Sequence, residues 1–229
     1  MMYKHASSPR RRWIRLLFST AAISAVAAAP FPASALASDD IVQFSVIPGS
    51  LDFGASPGLP GISTLVLNGQ AQTISSRVAN FEVSDASGTG LGWSISVSGD
   101  DGPGKSPVLK QYCPALECGD HAGPGYVADG STLPANSLTL DSNGATFMPV
   151  HGSTGLRPAH QCNAGCFVDA PPLSPTKVVA AASGTGMGTF RTSGFSSSSL
   201  RLAAPDSTRR LQTGELYRVD LSWTLNSGP

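Results

Sequence analysis

The sequence predicts an all-β protein, an antiparallel β-sandwich of roughly nine or ten strands with two long disulfide-containing loops. The 229 residues include 25 Gly and 18 Pro, and short apolar segments that alternate with polar residues lie between these turn formers. No segment after the N-terminal region has the apolar periodicity of a long helix. With 41% hydrophobic and only 13% charged residues, the composition is that of a folded chain.

The N-terminal region has the three parts of an export signal. Residues 1–15 carry five basic and no acidic side chains, an apolar stretch runs from Leu16 to Ala29, and Ala35-Leu36-Ala37 fits a small-x-small cleavage site. The apolar stretch is shorter than the roughly 20 residues that span a bilayer. We therefore expect residues 1–37 to be a signal peptide. The stretch Arg10 to Arg15 resembles a twin-arginine signal, and an ordinary secretory signal is the alternative.

The charge of the remaining chain, residues 38–229, excludes one class of partner. All 15 acidic residues but only ten of the 15 basic residues follow residue 37, so the exported part has a net charge of about −5. Nucleic acid is excluded as a partner because its binding depends mainly on Lys and Arg that neutralise phosphates. The sequence offers no second apolar run as a transmembrane anchor. We expect this domain to be secreted or held non-covalently at the cell-wall surface.

The strands are predicted from alternating apolar positions bounded by turn residues. Ile41–Val46 alternates in this way, and Leu51–Gly54 is a short second strand. Leu65–Leu67 and Gln70–Ile74 flank Asn68-Gly69, which predicts a hairpin because Asn-Gly readily adopts the positive φ angles of a two-residue turn.

The central strand of the prediction is Leu91–Val97, which a glycine-rich turn separates from the strand Val78–Val83. Trp93, Ile95 and Val97 share one face of this strand, and three serines share the other. The period of two is clean here.

The later strands are predicted from the same alternation of apolar and polar residues. Ser137–Leu140 and Ala145–Phe147 flank a second Asn-Gly pair and predict another hairpin. Tyr217–Leu225 has one apolar and one polar face, as expected for an antiparallel sheet covered on one side. Further strands are predicted at Lys177–Ala182, Thr189–Arg191 and Leu200–Leu202.

Two irregular stretches, residues 99–134 and 152–175, hold all four cysteines. An even number of cysteines in an exported chain predicts disulfides, and two local bridges, Cys113 with Cys118 and Cys162 with Cys166, are favoured among three pairings. A zinc site is the alternative because His121 and His160 lie nearby in the sequence.

Several of these segments, in this order, resemble the signatures of the WxL domain, a family of bacterial cell-surface proteins. Gly92-Trp93-Ser94-Ile95 resembles the first signature, and Trp223-Thr224-Leu225 resembles the second. The stretch Gly184 to Phe190 resembles the glycine-rich segment between them, and Pro48 to Phe53 resembles the opening of the domain. Two departures are the Ile95 where Leu is usual and the turn 85–88, which lacks the usual Arg.

The resemblance implies a module that attaches non-covalently to peptidoglycan, with Trp93, Ile95, Trp223 and Leu225 as its site residues. The tryptophans would be sugar platforms or supports, although core packing is favoured because both share strand faces with apolar residues. The alternative function is a structural or adhesive subunit that binds other exported surface proteins. His121, His151 and His160 lie in or beside the two irregular stretches, and their spacing suggests no catalytic site, so we expect no enzyme, no cofactor and no metal.

Overall fold

The computed structural model describes residues 43–229 except 56, 63, 170 and 171, and it leaves the side chains of 121 and 122 undescribed. The expected signal peptide, residues 1–37, and residues 41 and 42 of the first predicted strand lie outside the described residues. Residues 46–229 form one compact unit. In the part of the chain described, the secondary structure is all β, without helix.

The described residues of this unit form seventeen strands, many of them short. In chain order they are β1 (Leu51–Ala55), β2 (Gln72–Ser76), β3 (Glu82–Asp85), β4 (Trp93–Gly99), β5 (Lys110–Cys113), β6 (Glu117–Cys118), β7 (His121–Ala122), β8 (Gly125–Tyr126), β9 (Leu138–Leu140), β10 (Thr146–Val150), β11 (Ala159–His160), β12 (Cys166–Phe167), β13 (Thr176–Ala181), β14 (Gly188–Ser193), β15 (Leu200–Ala204), β16 (Leu216–Arg218) and β17 (Leu221–Ser227).

The strands pair antiparallel throughout and form three four-stranded sheets with two smaller ones. Sheet 1 has the order β1-β3-β14-β10, sheet 2 the order β11-β13-β4-β17, and sheet 3 the order β12-β9-β15-β2. Strand β5 joins β16 and β8 in a three-stranded sheet, and β6 pairs with β7.

One cluster of buried apolar side chains draws on all three four-stranded sheets. Its largest fully buried members are Trp93 and Ile95 of β4, Phe147 of β10, Phe190 of β14 and Leu200 of β15. Burying each such side chain contributes about 1.5–3 kcal/mol, so the core outweighs any single turn in deciding how strands pair.

The two predicted Asn-Gly hairpins are wrong. Residues 65–67 form no strand, and β2 pairs instead with β15. Strands β9 and β10 do flank the second Asn-Gly turn, but β9 pairs in sheet 3 and β10 in sheet 1. The turn therefore connects two sheets, because burial of Leu138, Leu140 and Phe147 dictates pairing with distant strands.

The predicted last strand, Tyr217–Leu225, is broken in two. Strand β16 pairs with β5, and β17 pairs with β4. The break lies at Val219 and Asp220, where the Asp220 amide donates to the Ser106 carbonyl at 2.9 Å and its own carbonyl accepts from the Asp100 amide at 2.8 Å. These bonds anchor the chain where it passes from one sheet to the next.

The stretches predicted to be irregular are more ordered than expected, because they contain the short strands β5 to β8, β11 and β12. Conversely, residues 43–46 of the predicted first strand form no strand. The favoured local disulfides are confirmed: Cys113 bonds Cys118, and Cys162 bonds Cys166. All four sulfur atoms are therefore unavailable as zinc ligands, and the alternative of a cysteine-based zinc site is wrong.

We expect the double substitution Cys162→Ala/Cys166→Ala to lower the free energy of unfolding by about 2 kcal/mol through loop-closure entropy. Removal of the fully buried Cys162 sulfur adds to this loss. Urea unfolding of the oxidised proteins measures the difference. An unchanged unfolding midpoint in the variant would contradict a stabilising bridge.

Candidate functional site

The two segments that resemble WxL signatures are neighbouring strands. In the ladder between β4 and β17, Trp223 lies opposite Val97 and Leu225 lies opposite Ile95. Directly opposite residues share a face of the sheet, and alternate residues along a strand do too. The four predicted site residues therefore lie on one face of sheet 2.

The two residues from β4 are inaccessible on that face. Trp93 and Ile95 are fully buried, and the Trp93 indole Nε1 donates to the Gly186 carbonyl at 3.0 Å. A sugar ring cannot stack on Trp93 in this structure, so any part these two residues play in binding is to support the strand. Their role in ligand binding stays a prediction.

The contact with Trp93 explains why the glycine-rich segment has glycine at position 186. Gly186 has a φ of 77°, and a Cβ at this position would lie 2.6 Å from Trp93 Nε1 and 2.5 Å from the Ala181 Cβ. Only glycine leaves room for the indole against the backbone. Three landmarks of the sequence, the two tryptophan strands and the glycine-rich segment, thus meet in one region.

Along strand β17, half-buried residues alternate with exposed residues, so one face is partly covered and the other faces solvent. Trp223 and Leu225 are half-buried, whereas Ser222, Thr224 and Asn226 are exposed. Opposite this exposed row, Ser96 of β4 is half-buried. The face away from Trp223 therefore carries a row of hydroxyl and amide groups, which we call the outer polar row (Ser222, Thr224 and Asn226).

A cavity of about 920 Å³ lies on the opposite, inner face of β17. Trp223 and Leu221 line it together with the half-buried Ile74 of β2 and residues from 57–62 and 64–67. Its deepest lining residues are the buried leucines Leu109, Leu133, Leu138, Leu200 and Leu202. The lining is predominantly apolar, which suits a hydrocarbon better than a sugar.

A polar cluster fixes the start of β17 beside this cavity. The Asp220 carboxylate accepts from the Tyr126 hydroxyl at 2.6 Å and from Arg218 Nη2 at 2.6 Å, and Arg218 lies over the Tyr112 ring at 4.6 Å. Burial opposes the charge of Asp220, but hydrogen bonds from Tyr126, Arg218 and the Ser106 amide outweigh it and lower the Asp220 pKa. Burial and the bond to Asp220 raise the Tyr126 pKa.

His160 is a second unusual group. Its ring stacks on Phe147 at 4.6 Å between centroids, its Nε2 has no hydrogen-bond partner, and burial lowers its pKa to about 4. It lines a smaller cavity of about 240 Å³. The imidazole is neutral at pH 7 and packs as an aromatic ring.

The described residues also hold no group of three or more His, Cys, Asp or Glu side chains placed to bind a metal ion. A separate search of the same residues finds no helix with the length and apolarity needed to cross a membrane.

Comparison with protein-family models, with curated protein sequences and with solved structures gives no match. The resemblance to the WxL domain accordingly rests on the residues quoted for it.

Sequence reasoning missed the outer polar row and the cavity for different reasons. The alternation in Tyr217–Leu225 contains the polar face, but nothing in that pattern distinguishes a binding surface from an ordinary solvated face. The cavity is lined by residues from 57–62, 64–67, β15 and β17, and no local pattern encodes how these parts come together.

We expect Gly186→Ala to destabilise the protein by about 1–3 kcal/mol more than Gly184→Ala, because overpacking against Trp93 adds to the backbone strain. Gly184 is a matched control: its φ is 78°, and a Cβ there meets no atom within 4 Å. Thermal or urea unfolding of both variants tests the difference. Equal losses would show that the Trp93 contact contributes nothing.

We expect the free energy of unfolding to fall as the pH decreases from about 6.5 towards 4. His160 has a pKa of about 4 when folded against 6.5 as its ordinary value, so the unfolded chain binds more protons in this window. Replacing the imidazole by His160→Phe retains a stacking ring and is expected to flatten this part of the profile. Urea unfolding at several pH values measures it, and an unaltered slope in the variant would contradict the assignment.

Proposed function

We propose that this protein is an exported surface protein that attaches non-covalently to the bacterial cell wall by binding peptidoglycan through a WxL-like domain, residues 38–229. The observation that carries the proposal is the ladder between β4 and β17, in which both signature-like segments are adjacent and in register. The glycine-rich segment packs against Trp93 in the same region. Segments that resemble a family's signatures are expected to meet if they define one site.

The surface proposed to touch the wall is the outer polar row. Sugar hydroxyls and peptide groups are recognised by side chains that donate and accept hydrogen bonds, and Ser222, Thr224 and Asn226 offer both on an exposed strand. In this proposal the buried Trp93 and Ile95 keep β4 in place, while Trp223 and Leu225 hold β17 against the core. The module binds its partner and has no catalytic role.

Two further parts of the proposal concern location and architecture. Export by the signal at residues 1–37 is supported by the two disulfides, which persist in oxidising compartments. A β-sandwich is supported by the one core cluster shared by side chains of sheets 1, 2 and 3.

A second candidate function is a structural or adhesive subunit that binds other exported proteins. The supporting observation is that β17 is an edge strand of sheet 2, seven residues long, which makes it a site for strand addition. Val46 and Ile47 are also exposed to 75% and 89%. Such a subunit would copurify with surface proteins and would not sediment with isolated cell wall.

Sedimentation with isolated wall sacculi tests the primary proposal. We expect the exported chain to sediment with sacculi, and the triple variant Ser222→Ala/Thr224→Ala/Asn226→Ala to bind about tenfold or more weakly through the loss of hydrogen bonds. The control is Thr73→Ala/Ser75→Ala, which removes exposed hydroxyls from β2, the edge of sheet 3. Protein that stays entirely in the supernatant would overturn the proposal, and equal losses in both variants would overturn the role of the outer polar row.

A further inference from the structure

The cavity under Trp223 is a feature of the structure that the proposed wall attachment does not use. Its volume of about 920 Å³ falls in the range of roughly 300–1,000 Å³ that is usual for small-molecule sites. Buried leucines of β9 and β15 form its deepest lining. An apolar ligand would fill it with favourable contacts.

The charges that line the cavity are mostly positive. Arg209 and Arg210 are exposed residues of the lining, and no described carboxylate forms an ion pair with either. Arg218, also of the lining, is already paired with Asp220. Glu215 is the acidic side chain of the lining, and it accepts from the Gln212 amide at 2.8 Å and from Gln111 Nε2 at 2.7 Å.

One hydrogen bond to the backbone holds Arg209 at the cavity. The Tyr217 hydroxyl donates to the Arg209 carbonyl at 3.0 Å, and Tyr217 itself lines the cavity. Two guanidinium groups at an apolar cavity suit a ligand with one negative head and one hydrocarbon chain, because guanidinium geometry matches a carboxylate.

We propose that this cavity binds a long-chain fatty acid, with the alkyl chain among the leucines and Trp223 and the carboxylate at Arg209 and Arg210. The site lies on the face of β17 opposite the outer polar row, so it is separate from the proposed wall contact. Neither depends on the other: a chain that fails to sediment with sacculi still binds fatty acid.

Calorimetric titration of the exported chain with saturated fatty acids, each below its micelle concentration, tests the proposal. Affinity is expected to increase about fourfold for each added methylene until the cavity is full. The double variant Arg209→Gln/Arg210→Gln is expected to weaken binding about tenfold or more for the acid and to leave the primary alcohol of equal length unaffected. Arg77→Gln, an exposed arginine outside the lining, is the matched control.

Quenching by a brominated fatty acid locates the chain. The exported part has two tryptophans, of which Trp223 lines the cavity and the fully buried Trp93 does not. Quenching is expected in the parent chain and is expected to disappear in Trp223→Phe, whose remaining emission comes from Trp93. A parallel titration with lysophosphatidic acid distinguishes a carboxylate site from a phosphate site. The fatty acid is expected to bind more tightly than lysophosphatidic acid of equal chain length.

Three results would overturn the proposal. The first is the absence of both binding heat and tryptophan quenching with fatty acids of every chain length. The second is fatty-acid affinity that is unchanged in Arg209→Gln/Arg210→Gln. The third is concentration-dependent dimerisation that competes with the fatty acid and is lost on Val46→Ser/Ile47→Ser, because it would assign the cavity to the apolar N-terminal segment of a second copy.

Discussion

The antiparallel ladder between β4 and β17 is the interaction on which the rest of the structure depends. It makes β4 an interior strand of sheet 2, with β13 on its other side, and so allows Trp93, Ile95 and Val97 to be fully buried. Without β17 these side chains would lie on a strand with one unpaired edge. The buried indole then requires Gly186, and Gly186 in turn sets the path of the segment that leads into β14.

Strand β17 serves two surfaces because its residues alternate. Its inward side chains cover the core and line the cavity, while its outward side chains carry the hydroxyl and amide groups. The cluster at Asp220 fixes where this alternation begins, since Arg218, Tyr126 and the Ser106 amide all donate to its carboxylate. A shift of one residue at this point would exchange the two surfaces.

Strand positions and disulfides could be predicted from the sequence more accurately than the pairing of strands. The all-β character, both local disulfides and the strands at Leu51, Trp93, Lys177, Thr189 and Leu200 follow from local alternation and from cysteine spacing. The first Asn-Gly hairpin failed because residues 65–67 form no strand and β2 pairs with β15. The second failed because a local turn preference is weaker than burial of Leu138, Leu140 and Phe147 in separate sheets. Of the candidate site, the core packing of Trp93 could be predicted from its apolar strand face, but the pairing of β4 with β17 could not, because no local pattern encodes which distant strands pair.

The ladder between β4 and β17 joins two segments that lie far apart along the chain, Trp93–Gly99 and Leu221–Ser227, and this has a consequence for how the polypeptide matures. Closing so long a loop must precede any of its hydrogen bonds, so assembly is slow compared with that of a protein built from local contacts. Under the proposed export by an ordinary secretory signal, slow closure leaves time for the chain to pass through a membrane pore before it becomes compact. During that interval the apolar faces of β4 and β17 are exposed, which makes the newly synthesised polypeptide a substrate for chaperones that bind unfolded chains.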